Sequence, residues 1–292
     1  MKTEKNILIA FLLNLSFAVF EFFGGIWSGS VAILSDAVHD LGDAASIGIS
    51  WLLERKSHRQ SDETYTYGYG RYSVLGSLVT TVILLAGSAV VVYHAVGRII
   101  HPTAIRYTGM MLFAVVGVAV NLIAAFITRE GDSLNQKAVN LHMLEDVLGW
   151  AVVLIGAIVM RLTDFTLLDP LLSIAVAVFI LIHAAKNLKE TIGILMEKAP
   201  EAVQVSEIRE HILAIDGVLD IHHIHLWTLD GQRNYATMHI VTGGDPHEIK
   251  ERVREELHEH GIGHATLELE REGEHCHETH CTAEATPAGH HH

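Results

Sequence analysis

The sequence is poor in cysteine, in net positive charge and in nucleotide-binding motifs. Its 292 residues include two cysteines, too few for a disulfide framework. The formal net charge of −14 comes largely from the region after residue 200 and argues against a nucleic-acid partner. The glycine-containing segment 68–71 is too short for a P-loop and follows no predicted strand, which argues against a nucleotide. With no nucleophile in a catalytic pattern, we do not expect an enzyme.

Long apolar stretches fill the first two thirds of the chain instead. At about 1.5 Å per residue, each is long enough to cross a hydrocarbon core roughly 30 Å thick. The pattern predicts a membrane α-helical bundle of six transmembrane helices within residues 1–199, embedded in a lipid bilayer. The stretches are approximately Ile7–Trp27, Val31–Leu53, Tyr72–Ile100, Thr108–Thr128, Asn135–Met160 and Leu168–Leu188.

Basic residues fall unevenly on the two sides of this predicted bundle. One side carries only Arg98, Arg106 and Arg161, whereas the loops and termini of the other side carry all the remaining lysines and arginines of the first 200 residues. Because basic loops stay in the cytoplasm, we expect both termini to be cytoplasmic.

Beyond Pro200 the pattern changes to that of a small soluble domain. Helical and alternating segments follow in the order αββαβ, with the turn Asp230-Gly231 between the first two strands. This order predicts a two-layer, ferredoxin- or metallochaperone-like α+β domain at 200–270, followed by a flexible Cys/His-rich tail at 271–292.

Two of the predicted membrane helices each carry a histidine and an aspartate four residues apart. The pairs are His39 with Asp43 and His142 with Asp146. Residues four apart lie on one helix face, so two opposed pairs would make a four-ligand cage. The alternative is a pair of hydrogen bonds that only hold helices together. Ionisable groups are costly at membrane depth, and the repeated register favours a metal site.

Two imidazoles and two carboxylates suit a borderline divalent ion such as Zn²⁺, with Cd²⁺ and Co²⁺ as further candidates. Imidazole must be neutral to bind metal, so protonation releases the ion and H⁺ can serve as the counter-ion. Asp36 and Asp40 lie about 60° and 100° around the same helix, which predicts supporting roles and not direct ligation, with a purely structural role as the alternative. Glu21 is a further buried-charge candidate, for which a structural role is the main interpretation.

Several segments carry a family resemblance. The segments SGSVAILSDAVHDLGDAASIG, YTYGYGRYSVLG and HMLED, together with the αββαβ domain, resemble the cation diffusion facilitator family in its bacterial zinc/cadmium/cobalt-efflux branch. The resemblance implies a homodimer of six-helix subunits in the bacterial cytoplasmic membrane that exports Zn²⁺ against proton entry. It also implies a preference for zinc from His39, since relatives with Asp there are less strict.

The same resemblance assigns residues outside the membrane quartet. Arg71 and Glu197 match positions of a charge interlock, for which an ordinary surface salt bridge is the alternative. Tyr65 and Tyr69 replace loop histidines of many relatives, so a loop metal site is not expected. Positions that match zinc ligands between paired cytoplasmic domains are His222, His239, His247, Glu268 and Glu270, with His223, His225 and His264 as possible substitutes. The alternative there is a solvated acidic surface.

The tail and the whole chain each leave an alternative open. Cys276, His280 and Cys281 can bind a soft metal, either as a low-order scavenger or for transport.

For the whole chain, the main hypothesis is a proton-coupled zinc exporter. The alternatives are a membrane-anchored zinc sensor and a passive channel, and a four-ligand cage holds an ion too tightly for the latter.

Overall fold

The computed structural model describes residues 2–28, 31–100, 107–130, 133–163, 168–201 and 203–274. The chain forms two compact units, Met1–Leu195 and Met196–His292. Tail residues Cys276, His280 and Cys281 lie outside the described residues, so their metal-binding role stays a prediction.

The first unit is helical. Its helices are α1 (Lys2–Ser28), α2 (Val31–Ser57), α3 (Arg71–Ile100), α4 (Tyr107–Thr128), α5 (Leu134–Thr163) and α6 (Leu168–Leu195). Among the described residues, three segments are long and apolar enough to cross a membrane, at Lys2–Phe23, Arg71–Gly97 and Leu134–Gly156. The prediction of six spans therefore stays a prediction. In α2, Asp36, Asp40 and Asp43 lower the apolar content.

Apolar side chains from α1, α2, α4 and α5 pack together into one buried cluster. Its members are Ile7, Ala10, Ile47, Ala124, Ala125, Val139 and Met143. Small residues let these helices approach closely, as is usual where lipid provides no hydrophobic drive between helices. Ile47 lies one turn after Asp43, and Met143 directly follows His142, so this packing fixes the residues of the predicted metal site.

The second unit contains α7 (Val205–Leu213), β1 (Val218–Thr228), β2 (Asn234–Thr242), α8 (Pro246–Glu259) and β3 (Ile262–Arg271). Its element order is the predicted αββαβ. The three strands form one sheet in the order β1-β2-β3, with β1 antiparallel and β3 parallel to β2. The parallel pair is joined through α8, as a crossover connection requires. β3 begins at Ile262, which pairs with Asn234.

Alternation along the strands sends apolar residues to the helices and polar residues to the other face of the sheet. Met238, Ile240 and Leu267 are buried in one cluster with Ile208, Ile212, Val253 and Leu257 of the two helices. His239, Glu268 and Glu270 occupy the intervening positions. The sheet therefore gathers its histidines and acidic residues on one face.

Candidate metal sites

Three of the four predicted membrane ligands lie together. Asp43 on α2 and His142 and Asp146 on α5 each offer one ligand atom within 4.8 Å of the others. Nε2 of His142 is 3.7 Å from Oδ1 of Asp43. Asp43 and His142 are only 7% and 3% exposed. The spacing of four along α5 places its two ligands on the same face, as the sequence predicts.

His142 has unsatisfied binding capacity at this position. Neither of its ring nitrogens has a hydrogen-bond partner among the described residues, although both are buried. Such a group costs free energy unless something binds it, and neutral imidazole is a good ligand for borderline metals. The side chains of His39 and Asp36 lie outside the described residues, so the fourth ligand and the supporting role of Asp36 stay predictions.

Asn14 is a residue of this site that sequence reasoning missed. Its amide donates a hydrogen bond to Oδ2 of Asp146 at 3.4 Å, and its side chain is buried on α1. Its own Oδ1 has no hydrogen-bond partner among the described residues. A signal was present in the sequence, since Asn14 is a polar residue within an apolar stretch. It lies two helical turns before Glu21, on the same face of α1.

Further carboxylates surround the three ligands. Asp40, Glu145 and Glu21 are close enough to Asp146 to interact with it electrostatically. The hydroxyl of Ser88 on α3 donates to Oε1 of Glu145 at 2.8 Å, which holds that carboxylate beside the site. Glu21 is itself only 1% exposed. The arrangement concentrates negative charge around a place that a divalent cation would neutralise.

A second buried carboxylate, also missed from the sequence, lies further along α2. Oε2 of Glu54 accepts hydrogen bonds from Ser73 Oγ at 2.6 Å, from Asn135 Nδ2 at 3.1 Å and from Ser133 Oγ at 3.4 Å. A Cβ on Gly76 would lie 2.7 Å from Oδ1 of Asn135, so glycine is required beside this network. In contrast to the ring nitrogens of His142, Oε2 of Glu54 accepts hydrogen bonds from three neighbouring side chains.

The loop between α2 and α3 is organised around Asp62. Oδ1 of Asp62 accepts backbone N–H bonds from Thr64 and Tyr65, and the hydroxyl of Tyr69 donates to its Oδ2 at 2.6 Å. The Tyr69 hydroxyl, followed by the Tyr65 N–H, holds the pKa of Asp62 below its ordinary value. The same hydrogen bond raises the pKa of Tyr69. At one of the two positions where the resemblance places histidines in relatives, the side chain of Tyr69 therefore binds a carboxylate.

In the second unit, one residue from each strand contributes to a histidine–carboxylate cluster. Nδ1 of His239 is 2.7 Å from Oε1 of Glu270, and Nε2 of His222 is 3.4 Å from Oε2 of the same residue. His222 and His239 are direct partners across the antiparallel pair. These three residues form one of the groups able to hold a metal ion. Glu270 is only 6% exposed, so its charge is directed at the two imidazoles.

The remaining predicted cytoplasmic residues lie around this cluster or away from it. Glu268 reaches Nε2 of His239 at 3.4 Å. His247 is exposed near the start of α8, where its N–H bonds Asp245, and the structure does not group it with His222, His239 and Glu270. A bulge after His222 puts His223 at a φ of 51° and brings its ring 4.8 Å from that of His239.

His225 contacts the ring of His223, whereas the ring of His264 lies against Tyr235. His225 is thus near the cluster through His223, and His264 packs elsewhere on the sheet. The predicted interlock joins Arg71 of the first unit to Glu197 of the second, and it stays a prediction.

Comparison with known proteins agrees with the division into two units. Residues 7–196 match the family profile described as the cation efflux transmembrane domain, and residues 200–272 match the cation efflux protein, cytoplasmic domain. The zinc transporter ZitB of Yersinia pestis is 35% identical over 297 residues, which cover 99% of this chain and 94% of that protein.

Two further relatives have broader names. The cadmium, cobalt and zinc/H(+)-K(+) antiporter of Bacillus subtilis is 31% identical, covering 92% of this chain and 89% of its own. The metal cation efflux system protein CzcD of Cupriavidus metallidurans is 30% identical, covering 91% of this chain and 86% of its own. The similarity extends through both units.

Proposed function

The chain belongs to the cation efflux family of integral membrane transporters, and from this premise we propose that it exports Zn²⁺ from the cytoplasm in exchange for protons. Cd²⁺ and Co²⁺ are further candidate substrates, in keeping with the name of the Bacillus subtilis relative. Asp43, His142 and Asp146, with His39 as the fourth ligand, form the proposed transport site.

The observation that carries this proposal is the convergence of two carboxylates with the imidazole of His142, which has no hydrogen bond among the described residues. A structural histidine normally bonds a neighbour when it is buried, whereas both nitrogens of His142 lack a hydrogen-bond partner among the described residues. Two carboxylates and a neutral imidazole supply donors that Zn²⁺ accepts in tetrahedral geometry. A bound ion would also neutralise part of the surrounding negative charge.

Proton exchange follows from the same ligands. An imidazole that takes a proton can no longer bind metal, and protonated carboxylates are poor ligands. Proton arrival at His142 and Asp146 would therefore release the ion, and proton departure would restore the site. The antiporter name of the Bacillus subtilis relative supports this coupling. We further propose six membrane spans, cytoplasmic termini and a homodimer as the working form.

Zinc flux into reconstituted vesicles tests the proposal. Vesicles with an acidic lumen should take up external Zn²⁺, because protons leaving the lumen drive zinc inwards. Collapse of the pH gradient with a protonophore should slow uptake. Asp43→Asn and Asp146→Asn should reduce uptake to that of protein-free vesicles, since each removes a charged ligand while retaining the side-chain size.

His183→Asn is the matched control for His142→Asn. His183 is also a histidine on a helix of the first unit, but it is exposed and its Nδ1 bonds the carbonyl of Phe179. Uptake should survive the first change and not the second. Undiminished uptake by both folded aspartate variants would overturn the assigned site. Uptake that ignores the pH gradient would refute proton coupling alone.

The cluster of His222, His239 and Glu270 favours a second candidate function, a membrane-anchored zinc sensor. A sensor would still change conformation with zinc when Asp43 and Asp146 are replaced, and it would move no ion across the bilayer. Zinc uptake by the unaltered chain decides between the two, because only the transporter accumulates the metal inside vesicles.

A further inference from the structure

A third histidine–carboxylate cluster, outside the sites described so far, joins the two helices of the second unit. Nδ1 of His211 lies 2.8 Å from Oε1 of Glu256 and 3.0 Å from Nε2 of His260. Nε2 of His260 is 3.3 Å from the same carboxylate oxygen. Three potential ligand atoms thus form a nearly equilateral triangle.

The fold holds these atoms in place from both sides. Glu256 and His260 are four residues apart at the end of α8, and therefore lie on one face. His211 lies in the last turn of α7. Ile208 and Ile212, on either side of His211, are buried in the same core as Val253 and Leu257 of α8. Core packing therefore brings the three polar groups together, in addition to the conformations of their own side chains.

Hydrogen bonding alone does not satisfy this triangle. A neutral ring nitrogen either donates or accepts, and an ionised carboxylate only accepts. If both imidazole nitrogens donate to Glu256, two N–H groups face each other at 3.0 Å. If His260 donates to His211, the bare nitrogen of His211 faces a carboxylate oxygen at 2.8 Å. If His211 donates to Glu256 and Nε2 of His260 carries no proton, that nitrogen faces the same carboxylate oxygen at 3.3 Å. With neutral imidazoles, at least one of the three contacts is repulsive in every arrangement, whereas a cation attracts all three atoms.

The dimensions also suit a metal ion. A point in the plane of the triangle lies about 1.8 Å from each atom, so an ion at the ~2.0–2.2 Å typical of Zn–N and Zn–O bonds fits slightly above that plane. The His211 side chain is 46% exposed, which leaves the outer side open to a water ligand. The C-terminal ends of α7 and α8 add partial negative charge next to this position.

We propose that His211, Glu256 and His260 bind a divalent cation of the Zn²⁺ class, with water as a fourth ligand, and so fasten α7 to α8. This site shares no residue with the sheet cluster of His222, His239 and Glu270. It requires no transport step, so it stands whether or not the proposed function is correct. His211 lies on α7 and His260 directly follows α8, so a bound metal ion links these two helices.

Substitutions that keep the hydrogen bonds but remove the ligands test the proposal. The amide nitrogen of asparagine approximates Nδ1 of histidine, and that of glutamine approximates Nε2, yet neither amide nitrogen binds zinc. The full-length His211→Asn/His260→Gln protein, dialysed against buffered free Zn²⁺ near neutral pH, should retain one zinc ion fewer per chain than the unaltered protein. His258→Asn, at an exposed position on α8, is the control and should retain the full number.

An unchanged zinc count in the folded double variant would overturn the site. If that variant does not fold, the unaltered full-length chain provides the measurement. Zinc should then slow the modification of His211 and His260 by diethylpyrocarbonate, read by mass spectrometry, and leave His258 reactive. Equal modification of His211 and His260 with and without zinc would refute the proposal.

Discussion

Two clusters use similar residues but differ in how their polar atoms are paired. They are the membrane cluster of Asp43, His142 and Asp146 and the sheet cluster of His222, His239 and Glu270. In the helices of the first unit, His142 makes no hydrogen bond with a described residue, and its Nε2 lies 3.7 Å from Oδ1 of Asp43. In the sheet, His239 is 2.7 Å from Glu270 and 3.4 Å from Glu268. The first cluster leaves the imidazole of His142 without a hydrogen bond among the described residues, whereas the second pairs its imidazoles with a carboxylate.

This difference teaches what each cluster contributes without metal. Buried polar groups without partners cost free energy, so the membrane cluster should stabilise the protein only when an ion fills it. The paired residues of the sheet stabilise their unit directly, and a metal there must first break the contact between His239 and Glu270. We therefore expect the membrane site to exchange metal and the sheet site to contribute mainly to stability.

Replacement of His142 should have the largest effect on zinc binding, and it separates zinc binding from metal-free stability most clearly. His142→Leu should lower zinc affinity and zinc uptake at least ~100-fold, above the roughly 10–100-fold that an outer-shell partner contributes. Its free energy of unfolding without zinc should not fall, because no hydrogen bond is lost and a buried polar group without a hydrogen-bond partner is removed. Zinc binding and thermal unfolding in detergent measure the two. His183→Leu serves as the control, and a large loss of metal-free stability in His142→Leu would contradict the comparison.

Removal of Asn14 should produce the second largest effect. Asn14→Ala deletes the donor to Asp146 and should weaken zinc binding by roughly 10-fold, as for other residues that orient a ligand. Asn121→Ala is the matched control, since Asn121 is equally buried but lies on α4. Calorimetric titration with Zn²⁺ compares the two. A similar loss in both variants would assign Asn14 to helix packing and not to the orientation of Asp146.

Local periodicity explains how much of this could be predicted from sequence. The spacing of four between His142 and Asp146 lies within one helix. Each element of the αββαβ order can likewise be recognised from the pattern of its own segment. Asn14 could not be assigned in this way, because it lies 132 residues from Asp146 and meets it only when α1 packs on α5. The same holds for Glu54 with Asn135 and for His211 with His260, whose contacts depend on tertiary packing.

A third, smaller effect is expected in the sheet. His239→Leu leaves Glu270 buried without its shortest partner, and should reduce the metal-free stability of the second unit by about 1–3 kcal/mol. Hydrogen–deuterium exchange of the full-length chain should show faster exchange along β2 and β3. His258→Leu, an exposed change, should not. Exchange that is unaltered by His239→Leu would show that the short contact adds no stability, and the contrast with His142 would disappear.

The smallest effect concerns Asp62, a carboxylate that is paired like those of the sheet. Tyr69→Phe removes the hydroxyl that contributes most to its lowered pKa, so that pKa should rise towards the ordinary aspartate value. A depressed pKa stabilises the folded loop above the pKa of the unfolded chain, and this contribution disappears as the pH falls through the folded value. The variant should therefore lose loop order at a higher pH than the unaltered chain during acid titration. Carboxyl NMR of Asp62 measures this, with Thr66→Val as a hydroxyl-deleting control in the same loop. If Tyr69→Phe leaves the Asp62 titration unchanged, the backbone N–H groups and Arg59 set its pKa, and the Tyr69 hydroxyl does not act on Asp62 as His239 acts on Glu270.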